Sequence, residues 1–153
     1  MGELSNESRV SYKFDRLNKD LTKYFNEKLK KQNVTRSEAS ILFILNKEDH
    51  ISQSQLSKAL EVNEATITRA LTRLENKHLV EKVLSEEDKR KKLVTLTNKG
   101  KDICEEIMKH QEEFKKDLFE DFTDEELENL KNSIEKISKK LHVYINNENY
   151  NKE

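Results

Sequence analysis

The chain has no proline and no tryptophan, only two glycines and a single cysteine. Without proline nothing in the chain forces a helix to kink, so helices can run long and stop only where end chemistry stops them. With glycine confined to Gly2 and Gly100, there is no glycine-rich loop to cradle a nucleotide phosphate. The lone Cys104 excludes an intrachain disulfide, suits a reducing compartment and reads as a small buried filler. His50, His78, His110 and His142 are scattered without metal-ligand spacing. No Ser/His/Asp set has local support for nucleophilic catalysis. Neither cofactor nor metal nor enzymatic activity is therefore expected. There is also no leader peptide and no membrane-spanning apolar run, which points to the cytoplasm and to no membrane partner.

Charge is what the sequence has in quantity. Charged residues make up 39% of the 153, hydrophobic residues only 33%, and the net charge is −1. A nonspecific nucleic-acid coat would be far more basic. The positive charge is instead local, with Lys89 to Lys92 forming an unbroken run. Acid gathers later, at Glu112, Glu113, Glu120, Asp121, Asp124, Glu125 and Glu126. Such a chain can meet a polyanion with one face and repel it with another, with steep salt dependence.

Ser52-Gln53-Ser54-Gln55 has the capping-box pattern and predicts a helix start at Ser52. Leu56, Ala59 and Leu60 form its inward face. Glu61-Val62-Asn63 interrupts the pattern, and Asn63 is a good N-cap for a second helix running to Lys77. In that helix Ile67, Ala70, Leu71 and Leu74 form one buried stripe. The opposite face carries Ala65, Thr66, Arg69, Thr72, Arg73 and Asn76, where an ordinary solvated helix would show Glu and Lys. Small side chains allow close approach to a groove, hydroxyls bond base edges or phosphates, and guanidinium forks suit guanine. This face predicts major-groove contacts by Ala65, Thr66, Arg69, Thr72 and Arg73. Ser52, Ser54 and Gln55, at a helix N-terminus, are candidates for phosphate.

After Leu79 the period becomes alternating. Val80 to Leu84 and Lys92 to Leu96 read as strands of a hairpin. Its tip places Asp88 beside Lys89, Arg90, Lys91 and Lys92. A carboxylate so placed can orient one arginine, and a thin cation suits the minor groove. Arg90 is the minor-groove candidate with Asp88 as its orienter, and Lys91 and Lys92 are candidates for phosphate.

From about Thr35 to Gly100 the chain resembles the winged helix-turn-helix of the multiple antibiotic resistance regulator (MarR) family of transcription factors. The residues that carry the likeness are Thr35-Arg36-Ser37-Glu38, Gln55 to Leu60, Thr66 to Leu71, Leu74 to Val80, Asp88-Lys89-Arg90 and Leu93 to Gly100. Glu61 and His78 depart from the family pattern, which favours Gly at both helix exits for its access to left-handed backbone angles. The resemblance implies a mainly α fold with a small β-hairpin wing, a winged helix-turn-helix flanked by N- and C-terminal dimerisation helices. The expected segments are a dimerisation helix over 1–33, the winged domain over 34–99, dimerisation helices over 100–146 and a polar tail over 147–153.

Outside the winged domain, apolar residues lie in narrow stripes. Val10, Phe14, Leu17, Leu21, Tyr24 and Leu29 mark one helix, and Ile103, Ile107, Phe114 and Leu118 another. Thr123 to Glu126 opens a third with Leu130, Ile134, Ile137, Leu141 and Ile145 at heptad-like spacing. Burial against a second copy suits such stripes, so Val10, Leu17, Leu21, Leu130, Ile134, Ile137, Leu141 and Ile145 are the expected homodimer interface. Two-fold symmetry predicts a palindromic DNA site with half-sites about 10 bp or a multiple apart.

The resemblance further implies repression relieved when a small aromatic or anionic effector enters a crevice between dimer helices and winged domain, for which Tyr12, Phe14, Arg16, Tyr24, Phe25 and Phe43 are the expected lining. The alternatives are a helical module that grips protein without DNA and a regulator that responds to oxidation of Cys104.

Overall fold

Side-chain caps set where the helices begin. The computed structural model describes residues 5–150, so residues 1–4 of the first expected segment and 151–153 of the expected polar tail lie outside the described residues. Ser5 accepts the Ser8 N–H and opens α1 (Asn6–Lys31). Thr35 and Glu38 exchange bonds in a full capping box at the start of α2 (Arg36–Lys47). Ser52 and Gln55 do the same for α3 (Gln53–Leu60), and Asn63 accepts the Thr66 N–H for α4 (Glu64–Asn76). Thr97 accepts the Gly100 N–H at 3.0 Å at the start of α5 (Asn98–Phe119). The Thr123–Glu126 box opens α6 (Asp124–Tyr150). Each cap satisfies an N–H that the first turn leaves without an intrahelical partner.

Three helix exits share one geometry. After α1, α3 and α4 the chain passes through a left-handed residue, Asn33 (φ 54°), Glu61 (φ 53°) or His78 (φ 58°). The next residue then donates back across the turn: Val34 to Leu29 O, Val62 to Ser57 O and Leu79 to Leu74 O. This bond satisfies a terminal carbonyl as a C-terminal glycine turn does. Glu61 and His78 thus adopt the glycine-like angles that the family pattern implies, at a cost of roughly 1–2 kcal/mol each for a residue bearing a Cβ. Burial of Val34 and Leu79, 4% and 1% exposed, offsets it at two of the exits.

β2 (Val80–Leu84) and β3 (Lys92–Leu96) pair antiparallel with Val80 opposite Leu96 and Leu84 opposite Lys92. A two-residue strand, β1 (Ile51–Ser52), pairs with the other side of β3, giving the order β1-β3-β2. The sequence does not signal β1, because two residues carry no alternation. It seats the start of α3 on the sheet.

The chain divides between His110 and Gln111 into two compact units. In the first, one core joins Ile41, Leu42 and Leu45 of α2, Leu56 of α3, and Ile67, Ala70, Leu71 and Leu74 of α4 with Val80, Val94 and Leu96 of the sheet and Cys104 and Ile107 of α5. Ala59 differs from expectation and is exposed. Leu56 and Leu60 lie within about 40° on the helix, whereas Ala59 sits on the flank, so short α3 packs through a narrower stripe.

The exit of α4 is strapped to the entry of α5. Leu79 O accepts the Thr97 N–H at 3.1 Å, His78 O accepts the Thr97 hydroxyl at 2.7 Å and Lys77 O accepts Lys99 Nζ at 3.0 Å. Gly100 lies against this strap.

In the second unit Phe119 and Phe122 meet edge to face, centroids 5.7 Å apart. Along α6, Leu130, Ile134, Ile137, Leu141 and Ile145 are all exposed. Among the described residues no helix is long and apolar enough to cross a membrane.

Candidate nucleic-acid interface

The buried stripe of α4 fixes which side faces out, because Ile67, Ala70, Leu71 and Leu74 are at most 1% exposed. Ala65, Arg69, Thr72 and Arg73 are consequently exposed, and Thr66 is half-buried. The hydroxyls on this helix are partly committed. Thr66 Oγ1 donates to Asn63 Oδ1 at 2.9 Å and Thr72 Oγ1 to Thr68 O at 2.9 Å, which leaves their lone pairs as acceptors toward solvent. Gln53, the first residue of α3, donates to Thr68 Oγ1 at 2.6 Å and ties the start of that helix to the body of α4.

Arg73 departs from a freely projecting reader. Its Nε donates to Glu38 Oε1 at 2.9 Å, and its side chain is half-exposed. Among the phosphate candidates, Ser52 and Gln55 use their polar atoms on each other: Gln55 Oε1 accepts the Ser52 N–H at 3.0 Å and its hydroxyl at 2.7 Å. Ser54 is exposed.

The hairpin tip is closed by backbone bonds, Lys91 N–H to Asp88 O at 2.8 Å and Ser85 N–H to Lys91 O at 2.9 Å. Asp88 Oδ1 accepts the Arg90 N–H at 3.0 Å and lies 3.7 Å from Arg90 Nε, while the Arg90 side chain is 96% exposed. The carboxylate therefore holds the base of the arginine and leaves its head in water. Lys91 and Lys92 are exposed beside it. At the root of the sheet, the buried Thr95 hydroxyl donates to Asp49 Oδ1. That bond, with the His50 N–H behind it, holds the Asp49 carboxyl below its ordinary pKa.

Sequence reasoning missed Glu38 as a site residue. It is wholly buried, and its carboxylate accepts from Thr35, Arg73 and Lys77. Burial alone would raise its pKa, but the Lys77 bond, the Thr35 N–H and Arg73 together hold it below the ordinary glutamate value. The Thr35–Glu38 capping pattern was the only local signal, and it accounts for one partner of three.

Of the six expected effector residues, Tyr12, Phe14, Arg16, Tyr24 and Phe25 lie on α1 and Phe43 on α2. Tyr12 and Phe14 are 66% and 51% exposed on α1, and Arg16 pairs with Asp20 at 3.9 Å on the same helix. Tyr24 and Phe25 meet edge to face, and Phe43 packs against the core. A crevice of about 380 Å³ is lined by Asn26, Leu29, Lys30, Val34, Arg36 and Lys77, among others. A smaller one, about 150 Å³, lies among α2, α3 and α4 beside Ile41, Leu60 and Thr66.

Cys104 is fully buried, with Sγ 3.7 Å from Leu42 O. Desolvation, with Glu105 nearby, pushes its thiol up to about 11. On the order of one molecule in a thousand would carry a thiolate at pH 8. Iodoacetamide at that pH should leave the native protein unmodified over a period in which the urea-unfolded chain alkylates completely, as read by intact mass. Rapid native alkylation would restore the redox alternative.

Comparison with known proteins places this geometry among regulators. A model of the MarR family matches residues 34–92. The uncharacterized HTH-type transcriptional regulator YdgJ of Bacillus subtilis is 36% identical over 61% of this chain, a match that spans only 57% of that relative's length. YwoH, another uncharacterized HTH-type transcriptional regulator of B. subtilis, is 34% identical over 71% of this chain and 78% of its own. Among solved structures, the S. aureus MepR–DNA complex superposes with a TM-score of 0.73 at 26% identity, covering 90% of this chain and 99% of that one.

Proposed function

The chain belongs to the MarR family of winged helix-turn-helix transcriptional regulators, and from that premise we propose that it is a homodimeric repressor acting on a palindromic duplex. The observation that carries this reading is the pairing of two outward devices on one core. One is an α4 face presenting Ala65, Arg69 and Thr72, and the other is a wing whose Arg90 is held at its base by Asp88. MepR, 26% identical, is solved with DNA. Ala65, Thr66, Arg69 and Thr72 take the major groove. Arg73 joins them with the part of its guanidinium that Glu38 leaves unbound. Ser54, Lys91 and Lys92 meet phosphate, as does Gln55 through its side-chain NH2, while the backbone N–H groups of Ser52 and Gln55 stay in the capping box, and Arg90 enters the minor groove.

Dimerisation runs through Val10, Leu17 and Leu21 of α1 and the α6 stripe from Leu130 to Ile145. Most of these are exposed in the single chain, and a second copy removes them from water. Tyr12, Phe14 and Arg16 then gain a partner surface that completes an effector crevice for a small aromatic or anionic molecule. The effector acts by favouring a conformer in which the two α4 helices no longer match the half-site spacing. The protein works in the cytoplasm without cofactor, metal or enzymatic activity. A module that binds only protein is not favoured, because it gives no role to the Asp88–Arg90 tip.

Fluorescence anisotropy tests this on a duplex that the protein selects from a random-sequence pool. Arg69→Ala should weaken binding by about 1–3 kcal/mol and relax preference at one base position. Arg90→Ala should weaken it comparably and erase preference for A·T pairs outside the major-groove half-sites. Binding unchanged in both variants would contradict the assignment.

A further inference from the structure

Among the described residues Glu38 is the one charged side chain that is wholly buried. It lies on α2 with no exposed surface of its own, yet two of its three partners stand at the C-terminal end of α4, Arg73 in the last turn and Lys77 as the C-cap. Oε1 accepts Arg73 Nε at 2.9 Å, and Oε2 accepts Lys77 Nζ at 2.7 Å together with the Thr35 N–H at 2.8 Å. Lys77 Nζ also donates to Asn33 O at 2.7 Å. Arg73 and Lys77 stand four residues apart and so share one side of the helix.

The apolar contacts between α2 and α4 tolerate a small rotation or slide, since burial is not directional. Paired ionic bonds from a single carboxylate resist such a motion, the Arg73 Nε–H by its direction and the Lys77 ammonium as a charge held also by Asn33 O. Buried ionic groups are better suited to selecting one arrangement than to adding stability. This one selects the angle at which α4 presents its outer face. It also fixes Arg73 by Nε, so that the exposed remainder of the guanidinium projects from a set position.

We propose that Glu38 is a positioning residue for sequence discrimination: through Arg73 and Lys77 it sets the rotation of α4 and aims the Arg73 fork, without touching DNA. The proposal rests on the DNA-reading role of α4.

Glu38→Gln isolates the effect. Gln is a normal partner in a capping box, so the start of α2 is kept. Its amide, however, offers a single oxygen and turns N–H donors toward Arg73 or Lys77. The assay compares affinity for the selected duplex and for a scrambled duplex of equal composition, alongside amide hydrogen exchange along α4 in DNA-free protein. Glu38→Gln should lower the selected-to-scrambled affinity ratio about tenfold and speed exchange in α4. Arg73→Ala added to it should lower the ratio little further, because both act through one guanidinium. Arg73→Lys, which keeps the ion pair but not the fork, should lower the ratio with exchange unchanged.

A ratio unchanged in Glu38→Gln, with only the melting temperature reduced, would overturn the proposal and leave Glu38 a strut. Full additivity with Arg73→Ala would overturn it too. If Glu38→Gln does not fold, Lys77→Met removes one anchor from the outside and carries the same expectation. If wild type fails to distinguish the duplexes, the DNA reading has failed. Exchange then decides the clamp alone, unchanged protection overturning it and lost protection upholding it.

Discussion

Replacing Ile137 and Leu141 together with glutamate should yield a folded single chain that no longer holds a duplex with two half-sites. Both side chains are about half exposed on α6, at 51% and 56%, so the substitutions disturb no buried core of the isolated subunit. In the proposed dimer they would place four carboxylates in an apolar contact, where an unpaired charge costs several kcal/mol. The subunit equilibrium should therefore shift to monomer at micromolar concentration. DNA binding should fall further than any single contact explains, because joining two reading heads raises avidity by roughly 10²–10⁴ over either alone. Light scattering after size exclusion gives the mass, anisotropy gives the affinity, and far-ultraviolet circular dichroism confirms the helices. A dimer of unaltered affinity would remove α6 from the interface.

The second large effect is expected at Gly100. A Cβ there would lie 2.0 Å from Leu79 O and 3.0 Å from Leu79 C, both backbone atoms. No flexible side chain can yield, and Leu79 O is already engaged by the Thr97 N–H. Gly100→Ala must push α5 away from the α4 exit or break the strap between them. Overpacking of this kind costs about 1–3 kcal/mol, more where backbone must move. The melting temperature should drop by roughly 2–12 °C at this chain length. DNA affinity should fall with it, since the strap also holds Leu79, the residue that leads directly into β2 and hence the wing. An unchanged melting temperature would mean that the two segments do not approach so closely.

Much of this arrangement is written in local pattern. The Thr35, Ser52, Asn63 and Thr123 caps, the buried stripe of α4 and the alternation in β2 and β3 each involve neighbours within a few residues, where sequence spacing is geometry. Glu61 and His78 were legible as departures from a glycine rule, and their positive φ angles show the turns kept despite the added Cβ. The equivalent turn at Asn33 was not anticipated.

What the sequence hid is tertiary. Glu38 meets Arg73 and Lys77 across 35 and 39 residues, and nothing in any of their surroundings announces the pairing. Arg73 thus looked like a simple outward reader. Gly100 owes its identity to a carbonyl twenty-one residues earlier. Which side of α1 gains a partner is likewise not written in its composition.

The central claim is that two chains grip one duplex through paired α4 helices and wings. Analytical ultracentrifugation of the purified protein with the selected two-site duplex, at protein concentrations spanning the dissociation constant, measures it directly. The account predicts one discrete complex with two chains per duplex and no populated species with one. A complex of one chain per duplex, or no complex in low salt, would contradict it.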